Sequence, residues 1–468
     1  MRRRSDKMFT TKKIIRRQPV ADREIDFSIP IEYSPPIKTD KNKIKASKSF
    51  KDVPQNSYLT LFVRKCEECS HIFDFQNIYL FKSQIEIKST LLIQLFNGFD
   101  NPHLCHLLGP PQFNSFLEMI RKNIFRALPN LYLQDFDAND INWPHLNLVY
   151  SCLKKSLFLG FYNNISRNFI YNLLKNVASY DKRERICVRD ITIELYARYA
   201  PVRSIIYRCV LSLLSINICS NEFFQIIASI SAKSKFFNSQ FFIEYIMPMH
   251  LLPKCVLYQS LIDCDLIFVR KDSNMFPILF QYLLNHWPVT IMKKYSFFLK
   301  IIVKLFELFL IDNNGKISEN YIITSEMANA YFDVISLCSC SEYAETAAYA
   351  LHLISQPLFK YIYRISLIDD NEEYEYDNDC SEEKNYCSFM KICQSVIISE
   401  NHWDEGVRSC ALDAKLALST LNHVKFEKIR RTIIGNKAGQ NSLVINKYEI
   451  DERWKIIFGQ AKRRYRSI

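Results

Sequence analysis

Glycine is nearly missing from this chain, with only 8 in 468 residues. Average usage of about 7% would supply roughly thirty. Gly-rich phosphate cradles, dinucleotide-binding turns and hairpin-rich sandwiches all need glycine where the backbone takes positive φ or approaches a ligand. No G-x-G occurs, so neither a dinucleotide fingerprint nor a kinase loop is available. Long hydrophobic runs are missing too. Phe297 to Ile311 comes nearest, but Lys300, Lys304 and Glu307 interrupt it, so no membrane span is expected. Met1-Arg2-Arg3-Arg4 is basic without a following apolar stretch, which speaks against a secretory signal. The 15 cysteines follow no framework spacing, which suits a reducing compartment, cytoplasm or nucleus.

What is abundant is apolar surface: 48% of residues are hydrophobic, enough for a large core. The net charge of +12 is unevenly spread. Residues 1–52 hold fifteen Lys and Arg against seven Asp and Glu, leaving a surplus of only about four for the rest. That segment is too rich in Lys, Arg, Ser and Pro to build a core, so residues 1–54 read as a disordered basic tail. Either a solvated tail or a nuclear-localisation or nucleic-acid arm fits the composition. Residues 461–468 read as a second, short basic tail.

From Pro54 onward the pattern is helical. Leu59, Phe62, Val63, Cys66 and Phe73 recur at steps that place them on one helix stripe. Similar segments follow at 86–97, 113–128, 144–159, 166–177, 184–199, 203–217 and 221–231. More lie at 238–247, 255–269, 276–285, 291–311, 320–338, 343–355, 385–398, 405–421 and 445–460. Asp181 with Glu184 reads as a capping box, and Pro144 and Pro288 sit at first-turn or pre-helix positions. Strand alternation is nearly absent. The expected fold is all-α: a HEAT-like α-solenoid of irregular antiparallel helix pairs in a curved superhelix over 55–460. The nine acids between Asp369 and Glu383 read as a solvated loop between repeats.

Motifs that carry chemistry are weak. Cys66 and Cys69 form one C-x-x-C inside a helical stripe with no second pair at zinc-finger spacing, and read as half-buried helix cysteines. Cys338 and Cys340 are no stronger. The histidines are isolated, and neither H-E-x-x-H nor G-x-S-x-G occurs. No catalytic residue, metal site or cofactor site is expected.

Several segments do resemble the B-prime regulatory subunit family of protein phosphatase type 2A. Leu61-Phe62-Val63-Arg64-Lys65-Cys66 leading to Ile72-Phe73-Asp74-Phe75 is similar to the family's first helix and its F-D-F ending. Asn123-Ile124-Phe125-Arg126-Ala127-Leu128-Pro129 resembles its M-F-R-T-L-P stretch. Trp143-Pro144-His145-Leu146-Asn147-Leu148-Val149-Tyr150 matches W-P-H-L-x-L-V-Y. Asp181-Lys182-Arg183-Glu184-Arg185, then Leu195-Tyr196 and Tyr199, resembles D-P-R-E-R and I-Y-x-x-F. Pro248-Met249-His250, His286-Trp287-Pro288, His402-Trp403 and Glu452-Arg453-Trp454 follow in order.

The resemblance implies a non-catalytic regulatory and targeting subunit that joins a phosphatase scaffold (A) subunit and catalytic (C) subunit. The chemistry would be supplied in trans, since this chain lacks the catalytic partner's G-D-x-H-G motif. It also implies a groove after D-x-R-E-R that docks short linear L-x-x-I-x-E motifs of substrate or adaptor proteins. Tyr196, Arg203 and Lys235 match groove positions. The family's His-Arg pair, which holds the motif's glutamate, falls instead on Ile193 and Glu194; a pocket histidine falls on Asn238 and an arginine on Tyr207. A glutamate facing a ligand glutamate repels it, by roughly 1–3 kcal/mol. The usual acidic motif is therefore expected to bind poorly. Nucleic acid is not an expected partner, and the competing reading is a generic helical-repeat adaptor that no longer binds phosphatase.

Overall fold

Apolar residues at helical spacing, short polar connections and few glycines become helices throughout. A computed structural model of the protein describes residues 44–73, 78–126, 128, 139–161, 165–218, 220–257, 259–288, 291–310, 323–367 and 381–439. All regular elements among them are helical. They form two compact units, one within residues 1–130 and 140–164, the other within 131–139 and 165–468.

The first unit contains α1 (Tyr58–Cys69), α2 (Ile78–Gly98), α3 (Pro102–Leu107), α4 (Pro110–Ile124) and α5 (Trp143–Phe158). Helix α1 packs on α2 and α4, and α5 closes against both of those. Its centre is aromatic: the Phe62 and Phe116 rings each meet Phe99, at centroid distances of 6.0 and 5.4 Å, both edge-on.

The second unit begins with α6 (Arg167–Lys175), α7 (Lys182–Arg198), α8 (Arg203–Ser215), α9 (Asn221–Ser231) and the single turn α10 (Ser239–Phe241). Next come α11 (Gln259–Lys271), α12 (Met275–Asn285), α13 (Met292–Leu310), α14 (Ser325–Ser339) and α15 (Ala344–Ile354). The last are α16 (Pro357–Ser366), α17 (Ser381–Ser399), α18 (Glu405–Leu421) and α19 (His423–Gly439). Helix α6 packs on α8, α7 on α9, α9 on α11, α11 on α13 and α13 on α15. Contact with the helix two places on is how stacked helix pairs of an α-solenoid share one core.

Helix starts are closed by side chains. Asn101, Ser166, Asp181, Ser220, Asn238, Thr324 and Asp404 each accept a backbone N–H at a helix start. At C-termini, among the described residues, one glycine and one asparagine take positive φ. Gly160 (φ 91°) follows α5, with Phe161 N–H donating to Ser156 C=O at 3.1 Å and Gly160 N–H to Leu157 C=O at 3.0 Å. Asn217 (φ 55°) follows α8 with the same pair of bonds, 2.9 and 3.0 Å, to Leu213 and Leu214.

Three helices go beyond the sequence expectation. Helices α3 and α16 open on prolines, which the first turn accepts because its N–H groups lack partners anyway; α19 follows α18 after one residue, Asn422. Helix α2 starts eight residues before the expected 86, where the polar Lys82-Ser83-Gln84 breaks the apolar stripe. Over 238–247 the expected helix is one α-turn that passes into a π-turn (Phe242–Ile246) and a 3-10 turn (Met247–Leu251). Pro248 offers no N–H there and its ring would meet the carbonyl four residues back. The segments 1–43, 369–380, 445–460 and 461–468, and Asp74, Phe75 and Glu452-Arg453-Trp454, lie outside the described residues.

Candidate functional site

The groove candidates depend on how α7 is held. Asp181 is buried and accepts the Arg183 backbone N–H at 2.9 Å, while the Arg183 guanidinium grips the same carboxylate at 2.7 and 3.0 Å. Two residues on, Arg185 is buried and donates to Ser179 C=O at 2.9 Å and to the buried Glu222 carboxylate of α9 at 2.6 Å. Arg189 reaches α9 as well, through Gln225 at 2.7 Å. The D-x-R-E-R run thus fixes the start of α7 and bolts it to α9. A buried carboxylate and guanidinium compensate each other's desolvation only as a hydrogen-bonded pair.

At the other end of α7 the candidates gather in two places. Tyr196 is buried, and the Arg203 guanidinium lies 5.6 Å from its ring centroid. Arg203 donates from Nε to Tyr196 C=O at 2.9 Å and from Nη2 to Ala197 C=O at 3.1 Å. It therefore caps α7 while presenting a half-buried cation beside a tyrosine. Ile193 and Glu194 are half-buried one turn earlier, and Glu194 is ion-paired with Arg198, its i+4 neighbour. Its negative charge is thereby balanced within the helix.

The second cluster joins α8 to the loop after α9. Tyr207 stacks on Phe236 (5.4 Å, 23°) and meets Phe237 edge-on at 5.2 Å. Burial raises the Tyr207 phenol above its ordinary range, with smaller contributions from Tyr245 and Glu244. Lys235 is exposed on the same loop, and Asn238 caps α10 by accepting the Phe241 N–H at 2.9 Å. Lys271 of α11 pins this loop. Its Nζ donates to the carbonyls of Ser231, Ser234 and Phe237 at 2.9, 2.9 and 2.7 Å. Together these residues present an aromatic shelf with Phe236 44% exposed. Tyr196 and Arg203 come together directly; Lys235 is linked to them through α8 and the Tyr207 stack.

Elsewhere the polar groups serve the core. Cys66 and Cys69 are fully buried on α1, and burial pushes Cys69 up to about 12. His250 Nε2 lies 2.9 Å from Asp265 Oδ2, both fully buried, and its Nδ1 lies 2.9 Å from Met247 C=O. Burial opposes the charged imidazole, but the Asp265 carboxylate outweighs it and holds His250 above the usual histidine range. No substrate reaches a pair with zero exposure. Among the described residues, no group of three or more His, Cys, Asp or Glu side chains is placed to hold a metal ion. None of their helices is long and apolar enough to cross a membrane. Sequence reasoning missed Arg198, Glu222, Asp265 and Lys271. Only Arg198 left a local signal, its i+4 spacing from Glu194.

Comparison with known proteins agrees with this architecture. Residues 47–461 match the family described as protein phosphatase 2A regulatory B subunit (B56 family). The chain is 24% identical over 440 residues to the serine/threonine-protein phosphatase 2A regulatory subunit pptr-1 of Caenorhabditis elegans, covering 86% of this chain and 73% of the relative. It is 24% identical over 434 residues to the mouse 56 kDa regulatory subunit alpha isoform, covering 86% and 82%. The B' eta isoform of the 59 kDa regulatory subunit from Arabidopsis thaliana is 28% identical over 295 residues, 55% of this chain and 56% of the relative.

Proposed function

The chain belongs to the B56 family of protein phosphatase 2A regulatory B subunits, and on that footing we propose how it works as one. It is a non-catalytic regulatory subunit that binds the phosphatase core. Its described helices engage the scaffold subunit and the catalytic subunit and bring substrates to the latter, where dephosphorylation of serine or threonine takes place. The family match across 47–461 is the observation that carries this reading. The basic stretches 1–43 and 461–468 flank the solenoid in sequence, whereas residues 44–54, expected as part of the tail, pack on it through Ile44, Lys45 and Phe50. The complex works in cytoplasm or nucleus.

Substrates or adaptors dock as short linear segments along α7, α8 and the 232–238 loop. Tyr196 and Arg203 form one end of that surface, and the Tyr207–Phe236 shelf with Lys235 the other. Ile193, the Glu194–Arg198 pair and Asn238 replace the groups that would hold an acidic residue. An L-x-x-I-x-E peptide is expected to bind at least tenfold more weakly here than to the mouse alpha relative, by fluorescence anisotropy. Equal affinity, lost on Arg203→Ala, would show that the acidic pocket persists.

Affinity purification of the full chain from its own cells tests the function itself. Scaffold and catalytic subunits are expected in amounts stoichiometric with the bait. Their absence would leave a helical adaptor without a phosphatase.

A further inference from the structure

Among its described residues, the first unit contains a buried cation paired with no anion. Lys65 of α1 is fully buried, and its Nζ donates to Ser47 Oγ at 2.7 Å, to Lys48 C=O at 2.8 Å and to Gln94 Oε1 of α2. All three acceptors are neutral, and the Phe50 ring 5.4 Å away adds only a quadrupole. A buried ammonium is costly without a counter-charge, and burial lowers Lys65 to about 8.

Two of those acceptors belong to an extended segment, residues 44–49, that runs into the first turn before α1. Backbone N–H groups of Ile44 and Lys45 bond to Gln84 and Glu68, so the segment lies along α1 and α2. Beside Ser47 is a groove of about 220 Å³ lined by Ala46, Ser47, Ser83, Glu86, Ile87 and Thr90, among others. That volume exceeds the needs of a tetrahedral phosphate. Glu86 is exposed at this groove, so water screens its charge. Around Ser47 the sequence is wholly basic: Lys41, Lys43 and Lys45 precede it, Lys48 and Lys51 follow, and no acid occurs from 41 to 51.

We propose that Ser47 is a phosphorylation site for a serine kinase that selects basic sequences, and that its phosphate pairs with the Lys65 ammonium. The γ-phosphoryl group of ATP passes to Ser47 Oγ: an O–P bond forms there, the bond to the ADP oxygen breaks, and the hydroxyl proton leaves to the kinase's base. Ser47 is half-exposed on extended backbone, as a kinase cleft requires, whereas Ser83 lies within α2 and Ser49 caps the following turn. A bond from the ammonium to a neutral oxygen becomes an ion pair with an anionic one, and the modification fastens residues 44–49 to α1 and α2.

The test uses the full chain with Mg-ATP and a basic-directed serine kinase, sites being mapped by mass spectrometry. Phosphate is expected on Ser47 and absent from Ser47→Ala. Amide hydrogen exchange over 44–50 is expected to slow at least tenfold in the phosphorylated protein. In phosphorus NMR, the second ionisation of this phosphate should fall clearly below its ordinary value of about 6. Lys65→Met should remove both effects. Phosphate confined to other serines, or Ser47 phosphate with unchanged or faster exchange and an ordinary ionisation, would overturn the proposal.

Discussion

The Arg185–Glu222 pair shows what single residues contribute. Each is buried, and each is the other's counter-charge at 2.6 Å. Glu222→Ala leaves a guanidinium buried without its anion, and a loss of about 3–5 kcal/mol is expected in urea unfolding. The apolar double variant Arg185→Met/Glu222→Leu should recover most of it, because no charge is then stranded. Lys88 makes a different prediction. It is 2% exposed, donates to His71 C=O and Asn123 Oδ1 at 2.6 Å each, and burial lowers it to about 8. Between about pH 8 and its unfolded value of 10.5, the unfolded chain binds the extra proton, so stability rises with pH there. Relative to Lys88→Met, the wild-type chain should gain about 3 kcal/mol between pH 7 and 10.5. Buried thiols act in the opposite direction: Cys152, raised to about 12, does so equally in both proteins, whereas Cys69 is held down by the Lys88 charge and rises further in Lys88→Met. Equal pH profiles would show that Lys88 is not desolvated.

At the scale of elements, helix positions were readable wherever apolar spacing was unbroken, as in α4, α9 and α13. They were hidden where a polar run interrupted a real helix, as at Lys82–Gln84 in α2, or where Pro248 bent one. Pairing between elements was not readable, because it joins residues far apart in sequence: Arg185 to Glu222, His250 to Asp265, Lys271 to the 232–238 loop. The candidate groove divides the same way. Tyr196, Arg203 and Lys235 could be named through the family resemblance, whereas the contact of Arg203 with Tyr196 and the aromatic shelf needed the fold. Lys271 keeps that shelf in place, so Lys271→Met should release the loop carrying Lys235 and Phe236. Limited trypsin digestion is expected to cut after Lys233 or Lys235 at least tenfold faster, while far-UV circular dichroism keeps its helical signal. An unchanged rate would mean that the Tyr207 stack alone holds the loop.

At the scale of the whole molecule, an all-α chain with few glycines offers surface rather than reactive groups. That agrees with its membership of a family of regulatory B subunits. The chain keeps only 24% identity to the worm and mouse relatives, yet the family match runs across residues 47–461. The central claim is that this chain is a working subunit of a phosphatase complex. Its most direct test is sedimentation velocity on the purified full chain mixed with a purified dimer of scaffold and catalytic subunits. The account predicts a single faster boundary of one copy of each, complete at low micromolar concentration. Separate boundaries for chain and dimer at that concentration would contradict it.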